Sequence, residues 1–151
     1  MRTRCLAAVL VACSVLVGPS LAAQSVPTLH ELQLAPIPQQ DMTPAQIRQA
    51  IDKVKKGRTL LIVPAVGLDD PQDNTTLALE DKSPFPLSVF VAGPTTFRVD
   101  LQPEETPVFS IEPGEYEIVV QVTGKDLPPF YGRQTVEAKK RFRHQFVIPI
   151  A

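Results

Sequence analysis

The chain of 151 residues is long enough for one domain around a single hydrophobic core, and its first 23 residues are typical of a removable export signal. Cleavage would leave 13 basic and 16 acidic residues, a formal net charge of −3 that argues against a general nucleic-acid binder. Both cysteines, Cys5 and Cys13, lie in the signal, so we expect no disulfide or thiolate metal site in the mature protein.

The signal begins with two arginines and continues with apolar and small residues over positions 5–17. Gly18 and Pro19 end this run, and small residues after them predict cleavage after position 22 or 23. The run is shorter than the roughly 20 residues of a membrane span, so we expect a periplasmic or secreted protein. A lipobox-like sequence ending at Cys13 leaves lipidation of that residue as the alternative membrane attachment.

Residues 24–42 are rich in proline and glutamine and show no sustained hydrophobic period, so we interpret them as a linker. Residues 43–57 follow with an amphipathic helix pattern. Thr43 suits the N-cap, Pro44 the first helical position and Gly57 the end of the helix. Apolar residues spaced three and four apart predict one face that packs on another element: Ile47, Ala50, Ile51 and Val54.

Residues 59–151 change to a hydrophobic period of two, which is typical of half-buried strands. Short alternating segments separated by proline and glycine turns predict an all-β domain, an antiparallel β-sandwich to which the helix is added. The 16 prolines suit turns and strand edges better than a helical bundle. The predicted strands cover residues 59–63, 75–79, 87–91, 97–101, 116–122, 134–138 and 141–148.

Residues 111–120 read IEPGEYEIVV, in which Pro113 suits a turn, Gly114 a positive backbone angle and Tyr116 the first inward position of the next strand. This segment resembles the Pro-Gly-x-Tyr hairpin of exported bacterial β-sandwich modules of the transthyretin-like, carboxypeptidase-regulatory-like and immunoglobulin-like kinds. The resemblance extends over residues 75–150 and implies a β-sandwich. It says little about function, since such sandwiches serve adhesion, carbohydrate binding and spacing.

Residues 128–132 combine two prolines with Phe130 and Tyr131, and Arg133 follows directly. We interpret this segment as a rigid loop that carries the best candidate contact surface of the chain. A carbohydrate is one possible ligand, because aromatic rings stack on sugars. A loop folded back over the sandwich edge is the alternative.

One basic patch stands out against the acidic remainder of the mature chain. It allows two interpretations: contact with an anionic envelope polymer or lipid, or charges that protect an edge strand from aggregation. The patch consists of Lys139, Lys140, Arg141 and Arg143.

Reactive side chains are scarce in the sequence. Nucleophilic catalysis needs a histidine beside a hydroxyl or thiol and a carboxylate, and the two histidines are His30 in the linker and His144 on the apolar face of a strand. We expect His144 to be neutral and buried. We expect no cofactor and no metal, although four oxygen-bearing side chains leave either a calcium loop or a solvated turn open: Asp69, Asp70, Asp73 and Asn74.

These patterns together predict an exported, non-enzymatic binding or structural module of the bacterial periplasm or cell envelope. Its expected partner is an envelope protein or a glycan whose identity the sequence does not reveal. A carbohydrate-recognising accessory module that uses Phe130 and Tyr131 is the alternative function.

Overall fold

The computed structural model describes residues 34–38 and 42–148, so the predicted export signal, Cys13 and His30 lie outside the described residues. The described part of the chain forms one helix and nine strands in two β-sheets. Their bounds are α1 Pro44–Lys55, β1 Leu60–Leu61, β2 Leu68–Asp69, β3 Thr76–Asp81, β4 Leu87–Ala92, β5 Phe97–Leu101, β6 Val108–Ser110, β7 Gly114–Val122, β8 Phe130–Val136 and β9 Lys140–Phe146.

The larger sheet has the strand order β1-β8-β7-β4-β5 and the smaller sheet the order β2-β9-β3-β6. Most neighbours are antiparallel, but β1 pairs with β8 and β3 with β9 in parallel. The expectation of purely antiparallel sheets is therefore wrong. The chain changes sheet between β8 and β9, so β9 pairs with a strand that is distant in sequence, and the period-two pattern does not reveal that direction.

The inward faces of the two sheets enclose the main hydrophobic core. Tyr116, Phe97 and Phe109 are its largest fully buried side chains. The rings of Phe97 in the larger sheet and Phe109 in the smaller sheet have centroids 4.8 Å apart, so the two sheets pack directly on each other.

Helix α1 covers the outer face of the larger sheet. Thr43 and Gln46 form a reciprocal capping box at the start of the helix. Ile47 and Ile51 are the buried residues of the helix. These isoleucines form a second buried cluster with three residues of the sheet, Phe90, Ala92 and Val119. Among the described residues no helix combines the length and the apolar character that a membrane crossing requires.

Residues 34–38 lie beside β6 at the edge of the smaller sheet. The amide of Ala35 donates to the carbonyl of Val108 at 2.7 Å, and Leu34 forms a parallel bridge with the same residue. Ala35 and Ile37 also pack against the main core. This stretch thus extends the sheet edge.

Candidate functional site

The segment predicted as an aromatic loop is the start of a strand. Phe130, Tyr131 and Arg133 all belong to β8, so the loop expectation is wrong. The backbone of β8 pairs with β7 from its first residue, and the prolines only precede it. Neighbouring residues of a strand point to opposite faces. Phe130 accordingly packs against the main core and Tyr131 against the helix cluster, so the two rings share no surface.

Tyr131 belongs to a polar cluster that fastens α1 to the larger sheet. Its hydroxyl donates to Oε2 of Glu117 at 2.6 Å, and Nζ of Lys55 lies 2.8 Å from the same oxygen. Nε of Arg133 donates to the Tyr131 hydroxyl at 3.3 Å. Desolvation alone would raise the pKa of Glu117, but the hydrogen bonds from Lys55 and Tyr131 hold that pKa below its ordinary value. The cluster therefore links helix and sheet through an ionised carboxylate.

Removing the Tyr131 hydroxyl tests this link. We expect Tyr131→Phe to lower the free energy of unfolding by about 1 kcal/mol, since the hydrogen bond to the half-buried Glu117 carboxylate and the longer one from exposed Arg133 are lost. Urea denaturation measures the change. Thr135→Val is the matched control. Thr135 lies in the same strand as Tyr131, and its hydroxyl donates to Glu115 in an exposed hydrogen bond. The loss of this exposed bond should lower the free energy of unfolding by less. Equal stability of Tyr131→Phe and the unmodified protein would show that the link contributes nothing.

The carbohydrate hypothesis stays a prediction. It assumed two aromatic side chains on one loop, and the structure instead separates Phe130 from Tyr131 by the thickness of the larger sheet. Lys55 also lies over the Tyr131 ring, 5.6 Å from its centroid. Both rings are only partly exposed.

Three residues of the predicted basic patch, Lys140, Arg141 and Arg143, lie in β9, and Lys139 directly precedes it. Lys139 is exposed in the preceding connection, where its φ is 63°, and Nζ of Lys140 lies 2.6 Å from a carboxylate oxygen of Glu137. Strand β2 pairs with β9 only at Lys140 and Arg141. In the described chain, the remainder of β9 pairs with β3 alone. Arg141 therefore has a strand on both sides, whereas Arg143 has a strand on one side only.

The two arginines of the patch differ in their partners. Arg143 forms an ion pair with the buried carboxylate of Glu80, whose other partners are Lys82 at 2.9 Å and Gln145 at 2.8 Å. Hydrogen bonds from Lys82 and Arg143 lower the pKa of Glu80 to about 2. Arg141 has no ion pair among the described residues, and its Nε is buried without a hydrogen-bond partner. Of the two arginines, Arg141 is therefore the one without a carboxylate partner in the described part of the chain.

Arg141 and Arg143 border a groove on the outer face of the smaller sheet. Its volume is about 370 Å³. Strands β2, β3, β6 and β9 supply the floor and walls, so the topology of the sheet creates it. The remaining residues that line it are mostly apolar: Val66, Leu68, Thr76, Ala78, Thr106, Val108 and Phe142.

The segment that crosses from the larger to the smaller sheet exposes large apolar side chains. The exposed fractions are 78% for Leu61, 71% for Val63, 83% for Val66 and 63% for Leu68. Val147, also 63% exposed, shares a cavity of about 300 Å³ with Leu61 and Val63. We call these five residues the apolar strip. Leu61, Val63 and Val147 line one cavity, while Val66 and Leu68 line the groove, and groups of exposed apolar side chains mark interaction sites in soluble proteins.

Sequence reasoning missed the apolar strip. A short apolar run such as residues 59–63 is typical of a buried strand, yet only Ile62 of this run is buried. The strand β1 is two residues long and lies at the sheet edge, so Leu61 and Val63 face solvent. The signal that could have revealed this was the break at Pro64 and Gly67, which leaves too few residues for a central strand.

His144 is buried, as we expected, and its Nε2 lies 3.0 Å from Oε1 of Gln134. The same oxygen accepts from the amide of Ala65 at 2.7 Å, while Nε2 of Gln134 donates to the Ala65 carbonyl at 3.2 Å. This fixes the amide orientation and makes Nε2 of His144 a donor. Burial lowers the pKa of His144 to about 4, so the ring is neutral near pH 7. Its partner is an amide and not a nucleophile.

The acidic residues considered for calcium have separate roles. Asp69 lies in β2, whereas Asp70 is buried and accepts from the amide of Gln72 at 2.7 Å, as in an Asx turn. The amide of Asp73 donates to the Asp70 carbonyl at 3.1 Å, and Asn74 is exposed. Within residues 34–38 and 42–148, no three His, Cys, Asp or Glu side chains are placed to hold a metal ion.

Comparison with protein-family models, curated proteins and solved structures finds no match to this chain. Its geometry is therefore the basis for any functional assignment.

Proposed function

We propose that this protein is an exported, non-enzymatic binding module of a bacterial periplasm or cell envelope. The observation that carries the proposal is the contrast between its two outer faces. Helix α1 covers the larger sheet with buried Ile47 and Ile51, whereas the outer face of the smaller sheet has an open groove. The apolar strip leads from the edge of the larger sheet to β2 of the smaller sheet. Exposed apolar surface beside a rigid sandwich favours binding.

Two further observations support the proposal. The first 23 residues have the composition of an export signal, which supports export of the binding surface. The buried His144 bonds to an amide, and the carboxylate of Glu80 is held ionised by Lys82 and Arg143, so neither is poised as an acid or base.

An immunoglobulin-like or transthyretin-like type of sandwich is part of the proposal. The Tyr116 hydroxyl donates to the carbonyl of Glu112 and accepts from the amide of Thr95 at 3.2 Å. A tyrosine at the start of a strand that bonds back to the preceding backbone is a feature of immunoglobulin-like sandwiches. This contact supports the immunoglobulin-like alternative.

Crosslinking in cells that export the protein tests the binding role. A photoreactive phenylalanine analogue at Val66 should give a discrete adduct, while the same analogue at Gln121, exposed on the other sheet, should give none. Leu61→Glu combined with Val63→Glu should lower the adduct yield at least about tenfold, because two apolar contacts are lost. The melting temperature should stay the same, since both side chains are already exposed.

Equal adduct formation at Val66 and Gln121, or none at either, would overturn the binding role. The mass of the exported protein checks the compartment in the same preparation. We expect an N-terminus at Ala23 or Gln24, and a chain that retains Met1 to Ala22 in the cytoplasm would contradict export.

A further inference from the structure

We infer that the edge of the sandwich at β1 docks on an anionic lipid bilayer. Basic residues at the end of α1 would lie at the head groups, and the exposed side chains of Leu61 and Val63 would enter the outer part of the hydrocarbon. The inference rests on the proposed binding function and names the partner class of the apolar strip. Two independent features carry it, the fixed outward position of the apolar side chains and the place of the unpaired cations.

The backbone around β1 is fixed to the larger sheet. The amides of Leu60 and Ile62 each donate to a backbone carbonyl at 2.9 Å, and the amide of Ala65 donates to a glutamine side chain of β8 at 2.7 Å. Leu61 and Val63 lie between these anchors, and their side chains are 78% and 71% exposed. The exposed apolar side chains are therefore a fixed feature of the sheet edge.

Leu61 points to the side of the larger sheet on which α1 lies. Neighbouring residues of an extended chain point to opposite faces, and Ile62 belongs to the main core. Leu61 is also the strand partner of Tyr131, whose ring packs against the helix cluster. The exposed apolar edge is therefore on the same side as the end of α1, which supplies the charges.

The charge of this edge is complementary to an anionic surface. Residues 53–68 contain four basic and no acidic residues, although the whole chain has 15 basic and 16 acidic ones. Lys55 is paired with Glu117. The other three are exposed and form no ion pair with any described residue: Lys53, Lys56 and Arg58. Such cations are attracted by acidic lipid head groups.

The composition of the edge favours a bilayer over a protein partner. Protein interfaces are depleted in lysine, and their strongest contacts come from Trp, Tyr and Arg and seldom from Leu or Val. At this edge, lysines and one arginine directly precede exposed aliphatic side chains. Cations beside aliphatic groups are typical of protein surfaces that lie in the head-group region of a membrane.

Vesicle flotation of the exported chain tests the inference, with phosphatidylcholine vesicles that either contain or lack one third phosphatidylglycerol. We expect binding to be at least about tenfold stronger with phosphatidylglycerol and to weaken as salt is added, because ions screen exposed cations. Lys53→Gln, Lys56→Gln and Arg58→Gln combined should weaken binding to the anionic vesicles about a hundredfold, since each cation contributes about fivefold.

Two controls separate charge from residue identity and from location. Lys53→Arg, Lys56→Arg and Arg58→Lys combined keep all three charges and should leave binding unchanged. Arg98→Gln removes an arginine from β5, at the opposite edge of the larger sheet, and should weaken binding by less than about twofold.

The apolar contact can be located directly, because the chain contains no tryptophan. Val63→Trp places a single indole at the edge, and Gln121→Trp, at an exposed position of β7, is its matched control. We expect lipids with brominated acyl chains to quench the fluorescence of Val63→Trp alone. Leu61→Ala combined with Val63→Ala should weaken binding to the anionic vesicles at least about tenfold, while the melting temperature stays the same.

Three results would each overturn the inference: equal binding to the two kinds of vesicle, unchanged binding after the three glutamine substitutions, or no quenching of Val63→Trp. Their meaning for the proposed function is separate. An adduct with a protein at Val66 in exporting cells, without vesicle binding, would reject the lipid and leave the binding role intact. Charge-dependent vesicle binding with quenching at position 63 would support both. An absence of vesicle binding and of any adduct would reject both.

Discussion

His144→Phe should make the protein more stable than the unmodified chain near pH 4.5 while costing no more than about 1 kcal/mol at pH 7. The pKa of His144 is about 4 in the folded protein, against 6.5 as its ordinary value. Between pH 6.5 and pH 4, the unfolded chain therefore binds a proton at His144, whereas the folded protein leaves the ring neutral. Stability is full above pH 6.5 and declines toward pH 4, by up to about 3 kcal/mol.

The cost at pH 7 is small because Gln134 keeps a partner. Its Oε1 still accepts from the amide of Ala65 when the histidine donor is lost. Phenylalanine also suits the apolar surroundings of His144, whose ring is stacked over Phe146 with the centroids 6.3 Å apart. Urea denaturation at half-unit intervals from pH 7.5 to 4 measures both curves.

Glu80 provides the control for this measurement. Its pKa of about 2 lies below the ordinary value of 4.5, so its stabilising effect is present above pH 4.5 and is lost as the pH falls through that lower window. Glu80→Gln should therefore keep the decline between pH 6.5 and 4.5, whereas His144→Phe should abolish it. Parallel curves of unfolding free energy against pH for His144→Phe and the unmodified protein across this range would show that burial does not lower the pKa of His144.

Ile51→Ala should destabilise the protein by about 3 kcal/mol. Ile51 is 1% exposed and is the most deeply buried residue of α1. It contacts the cluster formed with Phe90 and Val119, so truncation leaves a cavity between helix and sheet. Chemical denaturation monitored by circular dichroism gives the change in unfolding free energy.

Gln49→Ala is the matched control on the same helix. Gln49 is exposed, so its truncation should change stability by no more than about 0.5 kcal/mol. A loss of similar size in both variants, or none in Ile51→Ala, would contradict the packing of α1 on the larger sheet. Increased binding of an apolar dye in Ile51→Ala alone would show that Phe90 and Val119 become accessible.

Local signals in the sequence were sufficient to predict most strands and their inward residues. The alternation in β7 places Tyr116, Ile118 and Val120 in the core, as the period of two predicts. Gly114 has a φ of 148°, a conformation that the Pro-Gly turn signal also indicates. The hydrophobic period of a segment and the chemistry of its turns depend on residues a few positions apart, so both can be recognised in the sequence before the fold is known.

The same alternation misled where another element covers a sheet. Val119 lies between Glu117 and Gln121 on the outward face of β7, and the pattern treats that face as solvated. The structure buries Val119 under Ile47 and Ile51. The stripe on the helix shows that α1 needs an apolar partner, but it does not say which of the two sheets provides it.

The candidate site depends on contacts between distant parts of the chain. The parallel pairing of β9 with β3 sets Arg143 opposite Ala78, beside Glu80, and leaves Arg141 without an acid in the described chain. The basic patch in the sequence contains both arginines, but the pattern does not show which of them pairs with Glu80. Strand partners are chosen by the summed packing of the whole core and by chain closure, neither of which a local pattern encodes. The sequence thus determined which residues of each strand face the main core, and the tertiary structure decided which arginine pairs with Glu80 and which has no acidic partner among the described residues.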